Sequence, residues 1–273
     1  MADSNTQPLA KALNRRIETY LFLIQKLNFD NSKEVIHDVR VASRRLLALE
    51  SVFFQAGKKT RWRKQIRSRA RSLNQLRDLQ VLEPSLLKDT RLSRLITEQI
   101  SLEKKRLHTR LSCAADDKCY QALDKQKYKL AVVFNNSPQI AVAELHQAWN
   151  KSVTLVKTQL NTIDPLQPST LHKLRIKIKK LRYLLEFLHD ARLVKDISIE
   201  AFKHWQEMLG QLNDITFAVH WLHEYGPGYH QLKVLERQVH QLSRQFTADK
   251  KQFEQVINST DLQVTSALQD IKL

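Results

Sequence analysis

Two stretches of this sequence place a histidine and several basic residues at the spacing of one helix face. With about 100° between successive residues of an α-helix, each set falls within a single arc. The first set is His37, Arg40 and Arg44, and the second is His172, Arg175, Lys179 and Arg182. The guanidinium fork of arginine binds phosphate in a bidentate manner, lysine is a mobile point charge, and histidine donates a hydrogen bond. The pattern indicates two helix faces that bind phosphate anions.

Acidic residues are missing from two basic runs, one of which contains the second set. The stretch from His172 to Arg182 contains six Lys or Arg, the stretch from Lys58 to Arg77 contains nine, and neither contains an Asp or a Glu. Like charges three or four residues apart on a helix repel one another, so a helix selected for stability alone would include acids. This repulsion is understandable if an anion binds among the side chains.

Both sets belong to an internal repeat with an offset of 135 to 136 residues. Residues 37–46 lie over residues 172–181 and retain the histidine, the first arginine, a basic pair and a leucine. Residues 73–79 lie over residues 209–215, and both blocks contain Leu-x-x-Leu-x-Asp. The aspartate of this motif either orients an arginine of the basic face or makes a structural hydrogen bond. A repeat of this length predicts a duplicated bundle, and we expect two four-helix bundles related by a pseudo-twofold axis.

Helical periodicity covers most of the chain, which contains only four glycines and six prolines. The predicted fold class is therefore all-α. Pro84 is interpreted as a helix start, and Asn31 with Glu34 as a capping box. The segment 117–134 is surplus to two four-helix bundles. The predicted helices are 8–28, 32–56, 60–82, 84–112, 117–134, 139–161, 169–190, 197–223 and 229–258.

Charge and composition restrict the class of protein. Lys and Arg number 45 against 28 Asp and Glu, which gives a formal net charge of +17 and favours acidic partners. The two cysteines, Cys113 and Cys119, supply neither a disulfide framework nor a zinc-finger ligand set. The first residues lack a signal-peptide pattern, and no apolar run approaches about 18 residues. We expect a soluble cytoplasmic protein that does not contact a membrane.

The histidine-led basic helices, followed in each half by the segments that end at Asp78 and Asp214, resemble the signature of the CHAD family, the helical domains named for their histidine. The resemblance implies one domain built from two four-helix bundles, residues 1–135 and 136–273. It also implies that basic helix faces lining a shared cavity bind inorganic polyphosphate. We expect no metal or cofactor, and we expect the protein to associate with polyphosphate granules. The contacts carried over are His37, Arg40, Arg44, Arg45, His172, Arg175, Lys179, Lys180 and Arg182, with Arg67, Arg71 and Lys203 added from the helices that lead into the second block.

Nucleic-acid binding is the first alternative, because the same charge attracts DNA and RNA. Trp62 stands between two arginines and could stack a base. It has no counterpart at the repeat offset, and Trp205 lies elsewhere in register, so both are interpreted as packing residues. No helix-turn-helix, zinc-finger or RNA-recognition signature is present.

A polyphosphate-processing enzyme is the second alternative. Phosphoryl transfer generally needs metal-binding carboxylates or a phosphate loop. The sequence contains neither a Gly-x-x-x-x-Gly-Lys loop nor a His-Glu-x-x-His helix. We therefore expect a non-catalytic protein that captures its ligand electrostatically and loses affinity as salt rises.

Overall fold

The described part of the chain is almost entirely α-helical. The computed structural model describes residues 7–53, 61–86, 90–110, 118, 120–125, 138–165, 167–194, 197, 199–225 and 229–271. Its helices are α1 (Gln7–Leu27), α2 (Lys33–Phe53), α3 (Arg61–Ser72), α4 (Asn74–Leu86), α5 (Thr90–Arg110), α6 (Pro138–Asn161), α7 (Pro168–Asp190), α8 (Ile199–Tyr225) and α9 (Tyr229–Gln269). Residues 120–125 are also helical, and these ranges contain no strand. The all-α fold class is confirmed.

Local interactions place several helix boundaries where the sequence pattern does not. A turn at Leu73 divides the predicted segment 60–82 into α3 and α4, and Pro84 lies inside α4 instead of starting the next helix. Ser32 precedes the first residue of α2, and its Oγ accepts a hydrogen bond from the main-chain N–H of Val35 at 3.4 Å. This side chain caps the helix. The capping-box interpretation of Asn31 is therefore wrong.

Helices α2 and α7, which bear the histidine-led motifs, each pack against several other helices. Helix α2 packs against α1, α3, α4, α6 and α7, while α7 also packs against α1, α6 and α8. Each buries its apolar side, as Val39 and Leu181 illustrate with 0% exposure. The buried hydrophobic side chains of both halves belong to one cluster. Burial of one side of each helix fixes the direction of the opposite, basic side.

A buried arginine also ties the first helix to α7. Arg16 donates hydrogen bonds to the main-chain oxygen of Tyr183 at 3.1 Å and to Asp190 Oδ2 at 3.0 Å. Its guanidinium lies over the ring of Phe187, 5.2 Å from the ring centroid. Because these partners replace the water that a buried cation loses, they help to hold α7 against the first half of the chain.

The division into two four-helix bundles, residues 1–135 and 136–273, stays a prediction. Its boundary lies outside the described residues, as do Cys113, Cys119 and most of the segment 117–134. The two sides of the boundary are in contact, since α2 packs against α6 and α7. Among the described helices, none has the length and hydropathy that a membrane span requires.

Candidate anion-binding site

The packing of α2 against α7 brings basic residues of the two halves close together. Burial, and then the charge of Arg44, lowers the pKa of Arg40 to about 10, and Arg175 of α7 contributes to the same shift. Burial likewise lowers the pKa of Arg175, with Arg44 contributing. Arg77 of α4 lies within the electrostatic range of Arg40 and Arg44. What we call the basic cluster consists of Arg40, Arg44, Arg77, Arg175 and Lys179.

Within the basic cluster, Lys179 has the pKa that departs furthest from its usual value. Its side chain lies on α7, and the residue is only 8% exposed. Burial, followed by the charges of Arg175 and Arg44, lowers its pKa to about 6, although the carboxylate of Asp214 opposes the shift. Lys179 makes no hydrogen bond or ion pair with any residue that the structure describes. A lysine in this environment is largely neutral at pH 7, and a nearby anion would restore its charge.

The equivalent arginines of the two halves have different neighbours. Arg40, which is 8% exposed, donates a hydrogen bond to Asn74 Oδ1. The repeat offset places Gly210 opposite Asn74 and Arg175 opposite Arg40. A Cβ built on Gly210 would lie 3.6 Å from Nη2 of Arg175, so the guanidinium packs over this glycine where a side chain would otherwise stand. The Nε atom of Arg175 is buried without a hydrogen-bond partner among the residues that the structure describes.

The two repeat aspartates lie among these cations. Burial raises the pKa of Asp78, against the opposing charge of Arg40, and Asp214 raises it further. Asp214 favours the charged forms of Arg175 and Arg77. The Nδ2 of Asn213 donates to Asp214 Oδ1 at 3.3 Å. Within the described residues, the aspartates therefore act on the arginines through charge, and two carboxylates offset only part of the charge of the basic cluster.

The two histidines stand at exposed positions beside the basic cluster. Desolvation, and then the charge of Arg77, lowers the pKa of His37, so its imidazole is mostly neutral at pH 7. His172 pairs through Nδ1 with Asn213 Oδ1 at 2.5 Å. Asn213 stands opposite Arg77 at the repeat offset. In the first half, the charge of Arg77 therefore acts on His37. In the second half, His172 is hydrogen-bonded to Asn213, the residue equivalent to Arg77.

Two other predicted contact residues are held by a carboxylate of the protein. Glu186 of α7 accepts from Arg182 through Oε1 and from Arg45 Nε through Oε2, the latter at 3.0 Å. Arg182 is 7% exposed and also donates to Gln206 Oε1 at 2.8 Å. Because Arg45 belongs to α2 and Glu186 to α7, this ion pair joins the two basic helices. The geometry gives Arg45 and Arg182 a positioning role.

The remaining predicted contacts lie on other helix positions. Lys203 of α8 pairs with Glu200 of the same helix at 2.5 Å. Arg67 and Arg71 are exposed on α3, and Lys180 is half-buried on α7. Their contact with a ligand stays a prediction.

Sequence reasoning missed three residues that organise the site. Arg77 is part of a basic run and directly precedes the repeat aspartate, which is a signal for its role. Asn74 gave no comparable signal, because its amide meets Arg40 only when α4 packs against α2, and Glu186 meets Arg45 only when α7 does so. Glu186 follows the basic run of α7 by four residues from Arg182, at the spacing of a helical ion pair.

The tryptophans are packing residues, as predicted. Trp62 and Trp205 are each 3% exposed. The ring of Trp205 packs on Phe246 and Phe253, with centroid distances of 6.1 and 4.7 Å. Neither tryptophan offers an open ring face for base stacking. In the described ranges, no group of three or more His, Cys, Asp or Glu side chains is arranged to hold a metal ion.

Comparison with protein families bears directly on the motifs of both halves. The CHAD domain model matches residues 23–223, a range that contains both histidine-led helices and both repeat aspartates. The chain belongs to the CHAD family. Because the match extends across both copies of the repeat, one CHAD domain includes the helices that form the basic cluster.

Two solved structures are similar to this CHAD chain in fold. One is the crystal structure of the CHAD domain from the plant Ricinus communis, with a TM-score of 0.55 and 19% sequence identity over 99% of this chain and 93% of that chain. Another is PptA from Streptomyces chartreusis, with a TM-score of 0.51 and 17% identity over 97% of this chain and 99% of that chain. At these identities the similarity concerns the fold alone. No curated protein matches the chain.

Proposed function

We propose that this CHAD domain binds inorganic polyphosphate at the basic cluster without transforming it. CHAD domains are generally linked to polyphosphate. The observation that carries the proposal for this chain is a group of basic side chains without ion-pair partners, contributed by both halves. Arg44, Arg175 and Lys179 make no ion pair with any residue that the structure describes, although they lie in mutual electrostatic range.

The energetics of the basic cluster favour an anionic ligand. Burial penalises the charged forms of Arg40, Arg175 and Lys179, and their mutual repulsion adds to this penalty. Phosphate oxygens would supply opposite charge and accept hydrogen bonds from the unpartnered donors. Both effects are larger in a partly desolvated site than on an open surface. A chain of phosphates can contact more of these cations at once than a single phosphate can.

Binding by this mechanism releases the counterions condensed on polyphosphate. Affinity should therefore decrease as salt concentration increases, and the slope should depend on the number of phosphates contacted. Arg45, Arg182 and Glu186 would hold α2 and α7 at the correct separation. His37 and His172 would donate hydrogen bonds at the edge of the site. No covalent step is needed, and we propose a cytoplasmic location at polyphosphate granules.

A calorimetric titration with polyphosphate tests the proposal. We expect Arg44→Ala and Arg175→Ala each to weaken binding by about tenfold, the value of one charge-assisted contact. The matched controls are the single variants Arg237→Ala and Arg244→Ala, which each remove one exposed arginine from α9, a helix that packs against α6 and α8. Equal losses in the control and the cluster variants would mean that net charge, and not the basic cluster, determines affinity.

Two further measurements separate polyphosphate binding from its alternatives. RNA and DNA of matched charge are added as competitors at physiological salt, and we expect polyphosphate to be retained. Phosphate release is measured with and without Mg²⁺, and we expect none above the rate without protein. Displacement by RNA at stoichiometric concentration would favour a nucleic-acid-binding protein, and release of phosphate would favour an enzyme.

A further inference from the structure

A cleft of about 340 Å³ opens beside the basic cluster, between α4, α5 and α8. Its volume is near the lower end of the range for small-molecule sites, roughly 300–1,000 Å³. Asn74 and Asp78 line the cleft and also belong to the surroundings of the basic cluster. Asn74 accepts a hydrogen bond from Arg40, and Asp78 and Arg40 lie within electrostatic range of each other. One end of the cleft therefore adjoins the cations that we propose bind phosphate.

The walls of the cleft differ in chemistry from the basic cluster. Helix α8 contributes Phe217, His220, Trp221 and Glu224, whose spacing places them on one helix face. Helix α4 contributes Gln75, and helix α5 contributes Gln99. The lining thus combines aromatic rings, side-chain amides, an imidazole and carboxylates. None of the described residues that line it is a lysine or an arginine.

These walls do not suit a further length of phosphate chain. The carboxylates of Asp78 and Glu224 would repel phosphate oxygens, and no Lys or Arg among the described lining residues would offset that repulsion. A simple cationic amine is also disfavoured, because the arginines of the basic cluster lie at one end. The group that fits is flat, uncharged and rich in N–H donors, since aromatic rings can stack on it while amide and carboxylate oxygens accept its hydrogen bonds.

We propose that this cleft holds the base of a purine nucleotide whose phosphates lie on the basic cluster. A purine base is uncharged and planar, and its amino group donates hydrogen bonds. Because one end of the cleft adjoins the basic cluster, the phosphates attached to such a base would reach its cations. The inference rests on the proposed phosphate site and extends its ligands from inorganic polyphosphate to nucleoside polyphosphates.

Calorimetry with ATP, GTP and inorganic tripolyphosphate tests the inference on the full chain in magnesium-free buffer. The three ligands share a triphosphate, so the difference in affinity reports the base. We expect at least one of the two nucleotides to bind about tenfold more tightly than tripolyphosphate, which is within the range of base–aromatic stacking. In the bound nucleotide, the base protons should receive magnetisation from the protein in saturation-transfer NMR.

Variants of the cleft separate the base from the phosphates. We expect Phe217→Ala to remove most of the nucleotide preference while tripolyphosphate binds as before, and the exposed Glu224→Gln provides a second variant with little risk to folding. Phe22→Ala is the matched control, because this phenylalanine is 64% exposed on α1. Tripolyphosphate binding without any nucleotide preference would overturn the cleft proposal and leave the proposed function standing. Failure of all three ligands to bind would overturn the cleft proposal, and failure of polyphosphate to bind as well would overturn the proposed function.

Discussion

The buried position of Lys179 predicts an unusual dependence of stability on pH. Burial lowers its pKa from 10.5 to about 6, so between these values the folded chain binds fewer protons than the unfolded chain. The free energy of unfolding must then increase as pH increases across this interval. Each pH unit contributes at most about 1.4 kcal/mol. From pH 7 to pH 9 we expect the free energy of unfolding to increase by about 2 to 3 kcal/mol.

Urea denaturation monitored by circular dichroism at pH 7, 8 and 9, at constant ionic strength, measures this increase. Lys179→Met retains much of the apolar stem and removes the titrating group, so its unfolding free energy should be nearly constant over the same interval and higher than that of the wild type at pH 7. Lys151→Met, which removes an exposed lysine from α6, should retain the wild-type increase. A wild-type stability that is constant or decreasing from pH 7 to pH 9 would refute the assignment of a neutral Lys179.

Three other predictions follow from the same contacts. Polyphosphate binding at pH 7.5 should take up a proton at Lys179, which calorimetry detects as a difference in heat between HEPES and Tris buffers; equal heats after correction for dilution would contradict it. Glu186→Ala should reduce the free energy of unfolding by about 3 kcal/mol, because it leaves the buried Arg182 without its carboxylate, whereas Glu98→Ala, which breaks the exposed pair with Arg94, should change it by less than about 1 kcal/mol. Gly210→Ala should fold normally and stabilise α8 by up to about 1 kcal/mol in thermal or urea denaturation, since the new Cβ would only touch Arg175 at 3.6 Å; a large loss of stability would show that the guanidinium needs more room.

The sequence predicts the parts of this molecule that depend on local periodicity and on repetition. The buried sides of α2 and α7 are those that the apolar spacing predicts, and the repeat identifies Arg40 and Arg175 as equivalent residues. Helix boundaries were less predictable where a competing local interaction existed. The hydroxyl of Ser32 caps α2 although Asn31 and Glu34 have capping-box spacing, and α4 contains Pro84 close to its end.

Tertiary packing decides the features that sequence patterns do not contain. Helix periodicity places Lys179 on the basic face, but only the packing of α7 against its neighbours leaves it 8% exposed among arginines. Glu186 likewise becomes the partner of Arg45 because α2 and α7 are in contact. Two residues of one basic run, Lys179 and Arg182, thus have different environments, one without an acidic partner and the other paired with a carboxylate.

The most direct test of the central claim is the stoichiometry of tripolyphosphate binding. This ligand is short, so it can respond to both Arg44 and Arg175 only if α2 and α7 contribute to the same site. We predict one tripolyphosphate per chain and a loss of affinity at that site for each single alanine substitution. Two independent sites per chain, each abolished by only one of the substitutions, would contradict a site shared between the two halves.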